Sequence, residues 1–290
     1  MSTERLKSLV KAQSTVDRGG IQVAKEIAER TVWDKLAIEN PTHAVISAKD
    51  ETDAARKSIE QISDIKQFLT PGDILLDCGA GYGRVAKYLL PDMPLAGYIG
   101  VDSSYEMLTL FQKRYREHEL EQKTPLLLVN SDIYALPLRD ASVDVVIVCA
   151  VFLHNHKSIV EKAVNEIKRV TRPGGKVLVY SSFPRAMTLM GIQGLMYQGL
   201  LNVLGKPFKN GPVRYYRRHE IMHLFDSFTE VELRPVGYSV VPKTIIGLPG
   251  PLEKLYRKGF ANPINYLLEK ITPERLKPYC AVHYDVIATR

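Results

Sequence analysis

The sequence predicts an α/β fold: a mostly parallel sheet with helices packed on both faces. Three observations predict it. From Asp73 onward, short apolar runs alternate with stretches of helical spacing, the pattern of a parallel sheet connected by crossover helices. The first run, Ile74 to Leu76, stops at Asp77 and passes through a glycine-rich turn, Gly79-x-Gly81-x-Gly83, into a helix beginning at Arg84. Such a turn lets backbone approach a ligand where a Cβ would clash, and the helix start behind it offers free N–H groups. The second run, Tyr98 to Val101, ends at another acid, Asp102, one strand-helix-strand unit later. An acid at that place suits the hydroxyls of a ribose.

The elements follow in order. Residues 1–70 read as a helical cap. Ile21, Ala24, Ile27 and Ala28 recur at helical spacing, Asn40-Pro41 interrupts, and a second helix runs from about Glu51 to Phe68. Trp33 and His43 flank the interruption; each is a candidate acceptor contact, and Trp33 reads first as a core anchor. Thr70-Pro71-Gly72 marks the boundary to a single domain over 71–290. Within it the third strand is Leu126 to Val129, the fourth Val143 to Cys149 and the fifth Lys176 to Tyr180, preceded by a helix from about Ile159 to Val170. A sixth strand is expected over Glu230 to Val241 and a closing strand over Tyr279 to Thr289, seven in all. Two insertions, about 184–217 and 242–278, are expected to form lids. The first contains Ala186 to Leu204, which has no charged residue but is interrupted by Gln193, Gln198 and Asn202. That polar content speaks against a membrane-crossing helix and for a buried or interfacial cap helix. Arg214, Arg217 and Arg218 follow, interleaved with Tyr215 and Tyr216.

The polar N-terminus lacks the apolar core of a signal peptide, so a cytoplasmic protein is expected. Cys78, Cys149 and Cys280 lie far apart without C-x-x-C spacing, which argues for a reducing compartment and against a disulfide framework or a metal site. A net charge of +7 is compatible with a solvated basic surface or with an anionic partner such as phospholipid headgroups or nucleic acid.

The glycine turn separates two ligand classes. Dinucleotide binders require G-x-G-x-x-G; here the third glycine comes one residue early and Arg84 stands where that pattern needs glycine. Asp77-x-Gly79-x-Gly81-x-Gly83-Arg84, Gly100-Val101-Asp102-Ser103-Ser104-x-x-Met107-Leu108 and Ser131-Asp132-Ile133-x-x-Leu136-Pro137 instead resemble three successive motifs of class I S-adenosylmethionine (SAM) methyltransferases. Phe152-Leu153-His154 and Glu166-Ile167-x-Arg169-Val170-x-Arg172-Pro173-Gly174-Gly175 resemble the segments on either side of the helix before that family's fifth strand. The likeness covers about Asp73 to Phe183 and is to the small-molecule and quinone-biosynthesis branch. It implies a Rossmann-like sheet and SAM as methyl donor, with S-adenosylhomocysteine as product. It also implies a cofactor site of Asp77, Gly79, Ala80, Gly81, Gly83, Asp102, Ser103, Met107, Asp132, Ile133 and Cys149. In that resemblance Asp77 helps orient the methionine amino group and Asp102 accepts from the ribose hydroxyls. Asp132 accepts from the adenine amino group, and Met107 and Ile133 sandwich the ring. The residues from Cys149 to His156 would face the methyl group, with His154 either a base or a structural hydrogen-bonding group. Tyr180 and Tyr215 are further candidate acceptor contacts.

The expected function is methyl transfer to a small apolar or lipid-like acceptor at O, N or C, with peripheral association to an anionic membrane. The alternatives are an RNA or protein methyltransferase and a SAM-binding protein without turnover. No recognition domain for nucleic acid is visible, and the proline-rich and Pro-Cys signatures of base-methylating enzymes are absent.

Overall fold

The computed structural model describes residues 2–25, 34, 38, 51–120, 123–205, 213–242, 245 and 248–290. Among these residues nine strands form one sheet. In chain order they are β1 (Thr15–Arg18), β2 (Ile21–Ala24), β3 (Ile74–Cys78), β4 (Gly97–Asp102), β5 (Leu126–Asn130), β6 (Val143–Cys149), β7 (Thr171–Pro184), β8 (Glu230–Tyr238) and β9 (Ala281–Thr289). Across the sheet they run β1-β2-β5-β4-β3-β6-β7-β9-β8. Pairing is parallel from β2 through β7, while β9 lies antiparallel between β7 and β8. The seven expected strands are all present, and the chain reversal falls between β3 and β6. That is the switch point where open α/β sheets bind ligands.

The helices used below are α1 (Thr3–Lys7), α2 (Glu51–Lys66), α3 (Arg84–Leu89), α4 (Tyr105–Glu117), α5 (Lys157–Val170), α6 (Leu189–Val203), α7 (Arg218–Leu224), α8 (Gly250–Tyr256) and α9 (Asn262–Ile271). The parallel strands are buried on both faces, and successive side chains feed two separate cores. Leu76, Cys78, Ile99, Val101, Val146 and Val148 pack with Val160, Val164 and Ile167 of α5 and Ile221 of α7. Leu75, Tyr98, Leu128, Val145 and Ile147 pack with Ile62 and Ile65 of α2, Val85 and Leu89 of α3, and Leu108 and Phe111 of α4. Both layers of helices thus anchor to the same strands, which fixes the carboxyl edge of the sheet where the glycine turn emerges.

The N-terminal region corrects one expectation. Ile21 and Ala24, expected on a helix, lie on β2. Gly19 and Gly20 both have positive φ, at 61° and 90°, and close a two-residue hairpin between β1 and β2, the geometry that Gly-Gly supports best. β2 then pairs in parallel with β5, and the two additional strands raise the count to nine. The helix over Glu51–Lys66 forms as expected. Its Asp64 accepts from the Tyr180 hydroxyl at 2.5 Å and from Arg234 Nη1 at 3.2 Å, tying this helix to β7 and β8.

The lids also form. α6 spans the uncharged stretch, capped by Thr188, whose hydroxyl accepts from Gly191 N at 2.9 Å. It is not a buried lid: of its residues only Gly191 is buried. The second lid carries α8 and α9 and is pinned to the end of β8 by Asn265. Its amide oxygen accepts from Val240 N and Val241 N, both at 2.9 Å, and its amide nitrogen donates to Val241 O at 2.8 Å. No helix among the described residues is long and apolar enough to cross a membrane.

Candidate active site

A cavity opens at the carboxyl ends of β3 to β6. The glycine turn forms its floor. Gly79, Gly81 and Gly83 have φ of +81°, +53° and +82°, a region that costs an L residue roughly 1–2 kcal/mol. A Cβ on Gly79 would strike the γ-methyl of Val151, and one on Gly83 would strike the ring of Phe111. The turn is therefore fixed by conformation and by space.

Asp102, at the end of β4, organises the loop. Its Oδ2 accepts from Gly81 N at 2.8 Å and its Oδ1 from Ser104 N at 2.9 Å. Each carboxylate oxygen has a further lone-pair site for a ligand hydroxyl. Burial raises the Asp102 carboxyl above its ordinary range, and the backbone donors from Ser104 and Gly81 oppose that rise. Ser104 caps α4, its hydroxyl accepting from Met107 N at 3.2 Å, so that Met107 turns into the cavity wall. Asn130 holds the strand end by donating to Asp102 O and Ser103 O, both at 3.0 Å.

On the opposite wall Tyr134 donates to Asp132 Oδ2 at 2.9 Å, and both residues line the cavity beside Ile133. Cys149, Ala150, Val151, His154 and Asn155 complete the lining. Burial pushes the Cys149 thiol up to about 12, so it contributes a neutral surface. Burial lowers His154 below the ordinary histidine range, which leaves its imidazole uncharged at neutral pH. Ala150 has φ of 58°, and Ser181, at the irregularity within β7 between Val179 and Phe183, has φ of 51°. Left-handed non-glycine residues store strain that surrounding structure must hold. Ala150 N donates to the carbonyl of Tyr180, the residue before Ser181, at 2.9 Å.

Beneath the glycine turn, Tyr98 donates to Asp77 Oδ2 at 2.5 Å. Asp77 Oδ1 is buried without a hydrogen-bond partner among the described residues. Burial raises the Asp77 carboxyl to about 7, against the opposing pull of the Tyr98 hydroxyl and Arg84.

The structure thus brings together Gly79, Gly81, Asp102, Ser103, Met107, Asp132, Ile133, Cys149 and His154 around one cavity. Asp77, Ala80 and Gly83 support the loop and do not line the cavity. Tyr180 is committed to Asp64 instead. Tyr215 lines a second cavity of about 390 Å3, bounded by α6, the ends of β7 and β9, and Leu153. Trp33 and His43 lie outside the described residues. Tyr134 was not anticipated; its position two residues after Asp132 is the signal that would have found it. Ser181, Tyr197 and His283 in the second cavity were not anticipated either, because their strands and helix meet only in three dimensions.

The donor set fits a SAM molecule. A glycine turn at the floor, a strand-end carboxylate with lone-pair sites beyond its two backbone bonds and an acid on the far wall suit its ionic and hydrogen-bonding groups. Sheet order and site together define the class I SAM-dependent methyltransferase fold. Residues 76–179 match the methyltransferase domain family. A demethylmenaquinone methyltransferase of Thermus thermophilus is 30% identical over 132 residues, covering 45% of this chain and 57% of that protein. A ubiquinone/menaquinone biosynthesis C-methyltransferase of Bdellovibrio bacteriovorus is 32% identical over 125 residues, covering 43% and 48%. The matches thus span about half the length of these curated relatives. Geranyl diphosphate methyltransferase, solved with SAM, shares the fold with a TM-score of 0.54 at 14% identity, over 89% of this chain and 95% of that one.

Proposed function

We propose that this chain transfers the methyl group of SAM to a small apolar or lipid-like acceptor held in the second cavity. The observation that carries the reading is the adjacency of the two cavities: Cys149, Ala150, Val151, His154 and Asn155 line the first, and Leu153, from the same segment, lines the second with Ser181. SAM supplies a sulfonium-activated methyl whose transfer leaves a neutral thioether. The residues of the chain bind, orient and exclude water. Asp102 accepts from the ribose hydroxyls, and Asp132, braced by Tyr134, meets the adenine edge. Met107 and Ile133 flank the ring, and the Gly79–Gly83 backbone follows the methionine end over Asp77. His154, neutral at pH 7, accepts a proton at a ring nitrogen where the acceptor carries one to lose. The curated relatives named for quinone methylation support an apolar acceptor. An RNA acceptor has less support, because Tyr216 of the Tyr215-Tyr216 pair is 1% exposed and packs edge-on against Phe183 at 5.0 Å. Radiolabelled methyl transfer from SAM into the apolar fraction of a cell extract tests the reading; label only in RNA or protein overturns it.

The same reading includes peripheral docking on an anionic membrane. α6 exposes Leu189, Leu195, Met196, Leu200 and Val203, and the second lid exposes Leu252, Leu255, Phe260, Leu267 and Ile271. Exposed apolar surface on this scale marks an interaction site. Lys254, Lys258 and Lys270 are exposed beside the second group, so the charge complements anionic headgroups. Flotation with phosphatidylglycerol-containing vesicles is expected to carry the chain upward at low salt; no flotation removes the membrane from the account.

A further inference from the structure

The second cavity carries information about its occupant. Its lining combines Leu153, Met190, Val213 and Val282 with the polar groups of Ser181, Gln193, Tyr197, Tyr215 and His283. Among the described residues lining it, none is Lys, Arg, Asp or Glu. Burial raises the Tyr215 phenol, so it stays neutral.

His283 is the one imidazole in this lining, and a carboxylate backs it. Its Nε2 lies 3.7 Å from Asp285 Oδ1, two residues along β9. That same oxygen accepts from Ser181 N at 2.8 Å, which ties the pair to the left-handed residue of β7 that also lines the cavity. Burial lowers His283 to about 4 and raises Asp285 to about 6, so at pH 7 to 8 the imidazole is neutral and the carboxylate ionised. The guanidiniums on the neighbouring strands are occupied. Arg185 donates to the carbonyls of Pro278 and Ala281, at 2.7 and 2.8 Å, and stacks 4.9 Å over the Tyr284 ring. Arg234 is paired with Glu232 at 2.8 Å and Asp64 at 3.2 Å.

Binding sites for carboxylates and phosphates use charged guanidinium or ammonium groups, because an unpaired buried anion is strongly unfavourable. Here the described lining is neutral, the carboxylate of Asp285 stands behind its imidazole, and Arg185 and Arg214 are not among the residues that line it. A cavity of about 390 Å3 with an apolar wall and a few polar groups is of the size that takes a small organic ligand. We infer that this cavity selects an uncharged, ring-sized amphiphile, holding its hydroxyl or carbonyl on His283, and that it rejects carboxylates and phosphates of the same shape. The inference rests on the cavity being the acceptor site of a methyltransferase, and it assigns His283 as the residue that sets acceptor specificity.

The test titrates the full chain with 2-naphthol and with 2-naphthoate at pH 7.5, with and without S-adenosylhomocysteine, following ligand fluorescence. The expected result is binding of naphthol at least about tenfold tighter than naphthoate, undiminished by S-adenosylhomocysteine. His283→Leu is expected to weaken naphthol binding and shrink the preference. His283→Gln, which keeps a neutral hydrogen-bonding group, is expected to restore most of it. Naphthoate binding as tightly as naphthol, a preference unchanged in His283→Leu, or naphthol displaced by S-adenosylhomocysteine would each overturn the inference. A separate titration with S-adenosylhomocysteine alone reads the methyltransferase assignment: its failure to bind overturns that assignment, whereas its binding with no naphthol preference overturns only the inference.

Discussion

Replacing Asp102 with Asn probes the cofactor site at its hinge. In the native site both carboxylate oxygens accept backbone N–H groups, Gly81 at 2.8 Å and Ser104 at 2.9 Å. An asparagine offers one oxygen and turns an NH2 toward the other N–H, so one of the two bonds is lost and two donors face each other. A hydrogen bond to a charged group contributes about 1.5–3 kcal/mol, and the ribose hydroxyls lose a charge-assisted acceptor at the same stroke. A weakening of about 2–3 kcal/mol corresponds to roughly a 30- to 150-fold rise in the dissociation constant for S-adenosylhomocysteine. Isothermal titration calorimetry reads the affinity, and a thermal melt on the same sample shows that the fold is intact. Affinity within about threefold of wild type in a folded variant would refute the assignment of Asp102 to the ribose.

Two further outcomes follow from the same geometry. Gly83→Ala combines a positive φ, costing roughly 1–2 kcal/mol, with a clash against Phe111, which is 1% exposed and adds about 1–3 kcal/mol of overpacking. A urea unfolding curve should show stability lowered by about 2–5 kcal/mol, and a loss near zero would contradict the loop conformation. Asp77 gives a pH signature. With its carboxyl raised to about 7, the folded chain holds a proton that the unfolded chain releases near pH 4. The native state therefore binds more protons between pH 4 and 7, and stability falls as pH rises through that window, by an amount on the order of a few kcal/mol. Asp77→Asn should flatten that slope; an identical slope in both proteins would show that Asp77 is not the group responsible. Asp285, at about 6, leaves a residual slope of the same sign in the variant.

The parts of the fold that were legible in the sequence are those where one local pattern decides the structure. The Ile74–Cys78 strand, the glycine turn and the acid ending Gly97–Asp102 are each contiguous, and together they place the cofactor cavity. The hairpin is ambiguous in the sequence because Ile21 and Ala24 satisfy helical spacing while Ile21 and Val23 satisfy strand alternation over so short a run. The deciding signal was Gly19-Gly20, a two-residue turn between alternating segments. α6 was legible as a helix but not in its exposure, since an uncharged sequence is compatible with burial or with an interface. The second cavity was the least legible part. Ser181, Met190 and His283 come from three elements and Tyr215 from the loop before α7, and only β9, entering antiparallel between β7 and β8, brings His283 and Asp285 to Ser181.

The central claim is that the glycine turn and Asp102 form a SAM site. Calorimetry of the purified chain against SAM, S-adenosylhomocysteine and NAD tests it most directly. The account predicts binding of both sulfur compounds and none of NAD, in keeping with Arg84 in place of the third glycine of a dinucleotide loop. Binding of NAD without SAM or S-adenosylhomocysteine would contradict it.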